Sequence, residues 1–299
     1  MKIQSLSVVV PNNKCVNNCK FCVSRMHCGM YKNQMDENLP FFDLYLNDYL
    51  KRLEFSRDNG CNTVMLTGSS EPQQNRKFLT YFGMFQRMMK RPFEWIEMQT
   101  TGVMLDNGYL RFLRNHVGVN LISISVSSFS KEQNNNIIGS PKGLEVDLDN
   151  LCKEIKKYDF TLRLSINLTD QFDNFNNRVE SILNYCKYFG ADQVTFRVLY
   201  SDGSETEQSK WVKEHAANPN LISEINYFIT TKGHLLGRLP YGAYKYGYNG
   251  MCIVVDDDCM AKNESKKKDT DESENYKYLI LRENCKLYSS WDDEASLIF

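Results

Sequence analysis

"SLSVVVPNNKCVNNCKFC", residues 5–22, joins a short apolar run to three closely spaced cysteines. The run at 5–10 has the length and the valine content of a buried strand, and the proline after it ends that strand. Cys15, Cys19 and Cys22 therefore follow directly on a strand, at the end where folds of parallel strands and helices build their sites. The question for the rest of the sequence is which fold surrounds this cluster of thiols.

Short apolar runs alternate with amphipathic stretches through the first two thirds of the chain. Strands are predicted at 5–10, 62–67, 93–99, 120–127, 160–168 and 192–200, with helices near 41–58, 75–90, 105–115, 145–158 and 175–189. Repeated βα units connected by right-handed crossovers indicate an α/β fold. The predicted architecture is a partial (β/α)6 TIM barrel.

Polar and apolar side chains also alternate within the predicted strands. In one strand Arg163, Ser165 and Asn167 interleave with leucines and isoleucine, and Ser123 and Ser125 do the same in the strand before it. Helices cover the outside of a βα barrel, so the apolar set should face them and the polar set should face the lumen. A polar lumen fits an open barrel that holds a polar ligand. A sheet with one face in water is the alternative.

The pattern changes after residue 200. We predict that residues 1–200 form the partial barrel and that residues 201–299 form a C-terminal extension that closes it and contains β-hairpins. The segment 201–210 is expected to be a polar loop, 220–231 a short helix and 237–250 a loop rich in glycine and tyrosine. The highly charged segment 256–275 cannot bury enough apolar surface to offset its ordering entropy, so we expect a mobile insertion. A hairpin follows, with its turn near Glu283, Asn284 and Cys285.

Composition indicates the compartment of the protein and limits the classes of partner that its charge could attract. The net charge is −1, from 36 Lys and Arg against 37 Asp and Glu, so no global field recruits nucleic acid or an acidic membrane. No apolar run is long enough to span a bilayer and no signal peptide is recognisable, so a cytoplasmic protein without a membrane partner is expected. Thiols stay reduced in the cytoplasm. A cysteine cluster in a cytoplasmic protein therefore indicates a metal or catalytic site before a set of disulfides. Cys61, Cys152 and Cys186 lie in apolar surroundings and are expected to be buried.

Three thiolates can hold three corners of a cubane iron–sulfur cluster and leave one iron open to another ligand. A structural zinc site would need a fourth protein ligand, and His27 or Cys28 could supply it. The zinc site is therefore the main alternative at this point.

The Cys15-x3-Cys19-x2-Cys22 motif, with Phe21 before the third cysteine, resembles the signature of the radical S-adenosylmethionine (SAM) superfamily. Further similar elements follow in order. "LTGSSEP" (66–72) resembles the glycine-rich element of that family, "QTTG" (99–102) its turn after the third strand, and "SVSS" (125–128) its serine-containing element after the fourth. Asn167 resembles a polar position in the fifth strand. The subfamily is not identified, and the resemblance to molybdopterin-precursor synthases and to viperin is distant.

This resemblance implies two cofactors, a [4Fe-4S] cluster on Cys15, Cys19 and Cys22 and a SAM molecule on the open iron. Cys28 is then not a ligand, because a fourth thiolate would block SAM. The residues expected near SAM are Phe21 at the adenine, Gly68, Ser69, Ser70 and Glu71 at the ammonium, and Ser125, Asn167 and Arg197 at the carboxylate and ribose. Alternatives stay open, since Glu71 could cap the helix near Pro72, Ser125 could fill the barrel and Arg197 could bind substrate.

The resemblance further implies an oxygen-sensitive enzyme that cleaves SAM reductively to a 5′-deoxyadenosyl radical and abstracts hydrogen from a small-molecule or nucleotide substrate. Flavodoxin or ferredoxin would supply the electron. The alternatives are a radical SAM enzyme that modifies peptides and a non-catalytic iron–sulfur or zinc redox sensor.

Two C-terminal features have open roles. Cys252, Cys259 and Cys285 could hold an auxiliary cluster, but a buried Cys252 and two loop cysteines are the preferred interpretation. Arg238, Tyr241, Tyr244 and Tyr246 could stack on a base or a sugar, or could pack on the barrel rim.

Overall fold

The computed structural model describes residues 1–26, 43–239, 243–256, 275–291 and 294–299. Within these ranges eleven strands form one sheet. The strands are β1 Lys2–Val9, β2 Thr63–Thr67, β3 Trp95–Thr100, β4 Leu121–Val126, β5 Thr161–Leu168, β6 Gln193–Val198, β7 His234–Arg238, β8 Tyr244–Tyr248, β9 Met251–Asp256, β10 Asn275–Leu281 and β11 Leu287–Tyr288. All six predicted strands are present as β1 to β6, with small shifts at their ends.

Eight neighbouring strands run parallel, in the order β10-β1-β2-β3-β4-β5-β6-β9. β11 pairs antiparallel with β10 at one edge, and β8 and β7 follow β9 antiparallel at the other. Over the described residues the sheet ends at β11 and at β7, so it is not closed. The predicted α/β fold with a partial barrel is confirmed. The C-terminal extension adds one parallel strand to each side of the six-stranded core.

Helices cover the outer face of this sheet. Those described are α1 Val23–Met26, α2 Leu46–Asp58, α3 Arg76–Met88, α4 Asn107–Phe112, α5 Lys131–Ile138, α6 Leu148–Lys157, α7 Arg178–Tyr188, α8 Glu207–His215 and α9 Pro219–Lys232. The five predicted helices correspond to α2, α3, α4, α6 and α7, and the short predicted helix near 220–231 is α9. The helix α3 carries Phe78 and Phe82 into the main core, where they lie with Leu162 and Leu164 of β5.

The polar alternation in the strands marks the inner face of the barrel. Glu97, Ser123, Ser165 and Asn167 are each only 4% exposed, although all four are polar. A sheet with one face in water would leave such side chains exposed, so the open-sheet alternative is wrong for this part of the chain. The inner face is a buried polar lumen.

Three of the described helices, α1, α5 and α8, were not predicted. The helix α5, with the sequence KEQNNNII, buries apolar side chains only at Ile137 and Ile138 and therefore lacks an amphipathic repeat. Its signals are the cap, where the Ser130 side chain accepts a hydrogen bond from the Gln133 backbone N–H, and Gly139 at its end. The helix α8 overlaps the predicted polar loop at 201–210, and that part of the loop prediction is wrong.

The predicted loop at 237–250 is wrong for half of its length, because residues 237–238 and 244–248 are paired strand. β8 and β9 form a hairpin in which Tyr248 pairs with Met251 across the two-residue turn Asn249–Gly250. Both turn residues have positive φ, 50° and 76°, which is the geometry that Asn-Gly favours in a tight hairpin. The Asn-Gly pair was the available sequence signal. The predicted hairpin of β10 and β11 is present, whereas the predicted mobile insertion at 256–275 lies outside the described residues except for its two ends.

The turn between β10 and β11 contains a buried carboxyl group, that of Glu283. Glu283 is 2% exposed, and its Oε1 atom has no hydrogen-bond partner among the described residues. Burial raises the pKa of Glu283 to about 7, while the nearby charge of Arg282 acts in the opposite direction. The backbone carbonyl of the same residue accepts a hydrogen bond of 3.1 Å from the Tyr49 hydroxyl of α2.

The raised pKa of Glu283 predicts that the stability of the folded protein depends on pH. The unfolded chain releases the proton near the ordinary pKa of 4.5, whereas the folded chain keeps it to about 7. The contribution of Glu283 to stability is therefore complete below pH 4.5 and is lost between pH 4.5 and 7, by at most about 3 kcal/mol. Glu283→Gln stays neutral, so urea denaturation from pH 4.5 to 8 should show the variant gaining stability relative to the parent chain across this window. A constant difference between the two proteins would contradict the assignment.

Candidate functional site

The three cysteines lie in the loop that connects β1 to α1, at the carboxyl ends of the parallel strands. Each is half-buried and has a free thiol. Burial is the main cause that raises the pKa of all three thiols. For Cys19 the charge of Cys22 is the next cause, followed by that of Glu71, which also raises the pKa of Cys15. These mutual effects show that the three sulfur atoms and the Glu71 carboxylate share one neighbourhood.

The chemistry of the donor set fits a cluster with several iron atoms. Over the described residues, no three His, Cys, Asp or Glu side chains surround a position for a single metal ion. Each cysteine of an iron–sulfur cubane binds a different iron, so three thiolates suffice for three corners of such a cluster. The two alternative zinc ligands, His27 and Cys28, lie outside the described residues.

The end of α5 holds the backbone of the cysteine loop. The Asn18 N–H donates to the Gly139 carbonyl at 3.1 Å, and the Lys20 N–H donates to the Ile137 carbonyl at 3.0 Å. Gly139 has a φ of +60°, and a Cβ atom at this position would lie 2.4 Å from the Asn18 carbonyl oxygen. Only glycine permits this close approach, so α5 ends where the loop needs to dock.

Glu71 binds the same loop from the other side. Its carboxylate is 5% exposed and accepts hydrogen bonds from five donor groups of the protein. Those donors are Asn17 Nδ2 at 3.0 Å, Gln73 Nε2 at 2.9 Å, Thr100 Oγ1 at 2.5 Å, and the Thr101 Oγ1 and N–H at 2.7 and 3.1 Å. Asn17 lies between Cys15 and Cys19, so this carboxylate joins the cysteine loop to the end of β3. We call the five-donor set the Glu71 clasp.

The alternative that Glu71 caps the following helix is not supported. The residue precedes the short 3-10 helix Pro72–Gln74, but its side chain makes no capping hydrogen bond there. Gln74 instead reaches the cysteine loop, because its Nε2 donates to the Lys14 carbonyl at 2.8 Å and its Oε1 accepts from the Val16 N–H at 2.9 Å. The segment after β2 is therefore built to hold the loop.

A pocket of about 190 Å³ opens beside this loop at the carboxyl ends of β3 to β6. Its lining includes four of the residues predicted near SAM, Phe21, Ser125, Asn167 and Arg197. The other lining residues are Val23, Gln99, Ser123, Ser165, Val198, Leu199 and Tyr200. Gly68, Ser69, Ser70 and Glu71 are not in this lining, and Glu71 contacts the cysteine loop through Asn17 instead.

Hydrogen bonds fix the polar side chains of the pocket. Arg197 Nε donates to Ser165 Oγ at 2.8 Å, and Asn167 Nδ2 donates to Ser127 Oγ at 3.1 Å. Asn134 of α5 in turn accepts from the Ser127 backbone N–H at 2.9 Å. The buried Ser70 hydroxyl, one residue before Glu71, has no hydrogen-bond partner within the described part of the chain. This hydroxyl is therefore available to form a hydrogen bond with a ligand.

Several residues that border this region were not predicted. The Trp211 ring from α8 lies 6.3 Å from the Phe21 ring and stacks at 4.7 Å on His215. The His215 Nδ1 atom is 2.8 Å from Asp170 Oδ2, just after β5. Trp211 is about 190 residues from Phe21 along the chain, and no local pattern indicates that the two meet. Asn17 and Gln99 had a signal, because they lie inside quoted motifs.

The described residues of the second cysteine set do not come together. Cys252 is half-buried on β9, which borders β6, whereas Cys285 is buried at the turn after β10, with its thiol 3.8 Å from the Tyr45 carbonyl. Cys259 lies outside the described residues. In the tyrosine-rich segment the Tyr244 ring contacts another residue of the protein, because the Arg238 guanidinium stacks on it at 5.4 Å. Tyr241 also lies outside the described residues.

Comparison with known families identifies the class of protein. Residues 9–186 match the model of the radical SAM superfamily. This match covers more than half of the chain, so the chain belongs to the radical SAM superfamily. Members of this superfamily are enzymes that use a [4Fe-4S] cluster and S-adenosylmethionine. No curated protein matches the chain.

Solved structures show the same fold. One is Streptococcus suis SuiB bound to S-adenosylmethionine, with a TM-score of 0.55, 11% identity, and 96% of this chain and 58% of that chain covered. Another is coproporphyrinogen III oxidase (HemN) from Escherichia coli, a radical SAM enzyme, with a TM-score of 0.54, 15% identity and coverage of 79% and 54%. A third is anSMEcpe with bound AdoMet and the Cp18Cys peptide, with a TM-score of 0.50, 18% identity and coverage of 69% and 55%. The chain spans just over half the length of these proteins.

Over the described residues, no helix is long and apolar enough to cross a membrane.

The contact between α5 and the cysteine loop predicts that adding one methyl group at Gly139 weakens iron binding. Gly139→Ala should push the cysteine loop away from α5, and the reconstituted protein should retain less iron. Gly143→Ala is the matched control, because Gly143 also has a positive φ, +86°, but a Cβ atom there meets nothing within 4 Å. Both variants carry the backbone cost of about 1 kcal/mol, so thermal denaturation should show a larger loss for the first. Equal iron content and equal stability in the two variants would contradict the docking role.

Proposed function

We propose that this chain is a radical SAM enzyme that acts on a small-molecule or nucleotide substrate, with its cluster on Cys15, Cys19 and Cys22. The observation that carries the proposal is the site itself. Three half-buried thiols lie next to a polar pocket at the carboxyl ends of parallel strands, within the segment that matches the family model. When bound, the cluster and SAM supply a reducing electron and a radical that abstracts hydrogen.

The three thiols are held in place because the surrounding protein fixes the cysteine loop. Backbone hydrogen bonds to α5 and the Glu71 clasp fix the loop from two sides. Arg25 adds a third connection, because its Nη2 donates to the Asn17 carbonyl at 3.0 Å. The cationic Arg25 is also near the Cys22 thiol, where its charge favours the thiolate that an iron ligand requires.

The pocket beside Phe21 has the chemistry that SAM requires. Its cationic donor Arg197 and the amide of Asn167 suit the carboxylate and the ribose hydroxyls, while the Phe21 ring offers a flat apolar surface to the adenine. Ser125 adds a hydroxyl at the same edge. Val23, Val198 and Leu199 line the remaining wall and exclude water from the reacting groups.

The SAM ammonium needs acceptors, and the segment Gly68 to Ser70 supplies them. Its backbone carbonyls are acceptors, and the buried Ser70 hydroxyl has no hydrogen-bond partner among the described residues. Glu71 contributes as a positioning residue, since its carboxylate is already filled by protein donors.

Anaerobic reconstitution with iron and sulfide tests the proposal. The parent chain should bind about four iron atoms and release 5′-deoxyadenosine from SAM with dithionite. Cys19→Ser should lose the iron and fall to the background without protein. Cys252→Ser is the control, because Cys252 lies outside the cysteine loop, and this variant should keep both properties.

Other results would separate the alternatives. About eight iron atoms per chain would indicate a second cluster, contrary to the proposal. A complete cluster that never cleaves SAM would favour a redox sensor. Iron binding that survives Cys19→Ser would overturn the assignment of the ligands.

A further inference from the structure

A second, larger cavity lies in the lumen. Its volume is about 420 Å³, which is in the range of small-molecule sites. Thiol and polar side chains line it, among them Thr63 and Gln193, the first residues of β2 and β6. We call this space the lower cavity, and we call the pocket beside Phe21 the upper pocket. Gln99 and Arg197 line both spaces, so the two are neighbours in one lumen.

One level of the sheet carries a row of polar side chains across this lumen. Gln99 of β3 pairs in register with Ser123 of β4, and Ser123 pairs with Arg163 of β5. Arg163 pairs with Gln193 of β6, and Gln193 pairs with Cys252 of β9. Neighbouring strands are about 4.8 Å apart, so the backbones of the two glutamines lie at most about 14 Å apart along the sheet. A ligand that contacts both glutamines therefore uses two separate groups.

The ion pair between Glu97 and Arg163 fixes the amide of Gln99. Arg163 Nη1 donates to Glu97 Oε2 at 2.6 Å, and Gln99 Nε2 donates to Glu97 Oε1 at 3.1 Å. A carboxylate paired with arginine accepts hydrogen bonds and cannot donate them, so only the amide nitrogen of Gln99 can face it. The second contact of that nitrogen is the Met65 sulfur at 3.6 Å. The Gln99 carbonyl oxygen accepts no hydrogen bond from a described residue and is available to a donor of a ligand.

The same arginine fixes the amide of Gln193 in the opposite sense. Arg163 Nε and Nη2 donate to Gln193 Oε1 at 2.9 and 2.7 Å. A guanidinium has donors only, so the carbonyl oxygen of Gln193 must face it. The Gln193 Nε2 group donates to no described residue and is available to an acceptor of a ligand. The row thus presents one fixed acceptor and one fixed donor to the same cavity.

We propose that Gln99 and Gln193 determine substrate specificity, with Gln99 binding a hydroxyl or N–H donor of the substrate and Gln193 binding a carbonyl, ether or hydroxyl oxygen. The donor group belongs to the part of the substrate nearer the upper pocket, because Gln99 lines both spaces. A substrate with the two groups exchanged would place donor against donor and acceptor against acceptor, and such a site discriminates strongly. The word substrate rests on the proposed function, whereas the polarity of the two amides does not.

Arg163 and Glu97 are positioning residues in this proposal. Each of them contacts a glutamine of the row, and together they hold the two amides in opposite orientations. Reversing either amide would leave a donor facing a donor or an acceptor facing an acceptor. The ion pair therefore sets the hydrogen-bond pattern that a ligand meets.

A thiol in the same row allows a direct test of Gln193. Cys252 is half-buried with a free thiol, lines the lower cavity and is the register partner of Gln193. The reconstituted protein is equilibrated, without oxygen, with the disulfides of 2-methoxyethanethiol and butanethiol in a thiol buffer. Mass spectrometry of the Cys252 peptide gives the ratio of the two adducts. The probes have nearly the same shape and only the ether offers an acceptor, so the ratio reports a donor beside Cys252.

The ratio of ether to alkyl adduct should be about threefold to tenfold higher in the parent chain than in Gln193→Leu, because one neutral hydrogen bond is lost. Gln193→Glu keeps an acceptor for Arg163 but has no amide donor, so it should lower the ratio at least as far. Gln133→Glu is the matched control, since Gln133 is exposed on α5, and it should leave the ratio unchanged. A ratio that neither Gln193 variant lowers would overturn the proposal.

A double variant tests the positioning role. Arg163→Met combined with Glu97→Gln removes both charges together, so no buried carboxylate is left unpaired. Gln193 is intact in this variant but its amide is free to rotate. The ratio should therefore fall toward that of Gln193→Leu. A ratio equal to that of the parent chain would show that the ion pair does not set the amide, contrary to the proposal.

A thiol beside Gln99 tests the acceptor in the same way. Ser123→Cys places a thiol of nearly the same size at the register partner of Gln99. The disulfides of 3-mercaptopropanol and 2-methoxyethanethiol, measured in separate samples, compare a hydroxyl donor with an ether of the same composition. The ratio of hydroxyl to ether adduct should fall about threefold to tenfold when Gln99→Met is added. An equal ratio with and without Gln99 would overturn its role.

Neither adduct ratio requires catalytic turnover. Reductive cleavage of SAM is measured on the same preparations. The expected ratios without SAM cleavage would reject the proposed function and keep the two polar contacts, whereas SAM cleavage with ratios that no variant changes would do the reverse.

Discussion

The buried carboxylate of Glu71 is the interaction on which the rest of the site depends. Burying an unpaired carboxylate costs several kcal/mol, so this side chain requires its hydrogen-bond donors. The donors come from the cysteine loop, from the turn after β2 and from the end of β3. Satisfying one charge therefore brings three separate segments together, and the proposed cluster ligands are fixed by the fold before any metal binds.

The parallel sheet explains why the upper pocket and the lower cavity share one lumen. Parallel strands place all their carboxyl ends at one edge, where the cysteine loop and the upper pocket lie. The inner face continues below that edge as a polar wall, and Arg197 and Gln99 belong to both spaces. The strands β9 and β10 widen the sheet from opposite sides.

Much of this fold is predictable from local sequence patterns, and the failures have identifiable causes. The six core strands are recognisable because each buries one apolar face, and the cysteine spacing locates the proposed cluster. The helix α5 was missed because three asparagines replace its apolar repeat, yet this helix docks the cysteine loop. The meeting of Trp211 with Phe21 results from tertiary packing and has no local signal. The division into domains and the individual SAM contacts stay predictions.

The most direct test of the clasp is the substitution Glu71→Gln, in which an amide replaces the carboxylate at nearly constant volume. The measurement is the iron retained after reconstitution and gel filtration, together with the KM for SAM of the protein that retains a cluster. If Glu71 positions the cysteine loop, the retained iron falls while the KM for SAM stays within about twofold of the parent value. Full retention of iron with a strongly raised KM would contradict the clasp and make Glu71 a direct ligand of SAM.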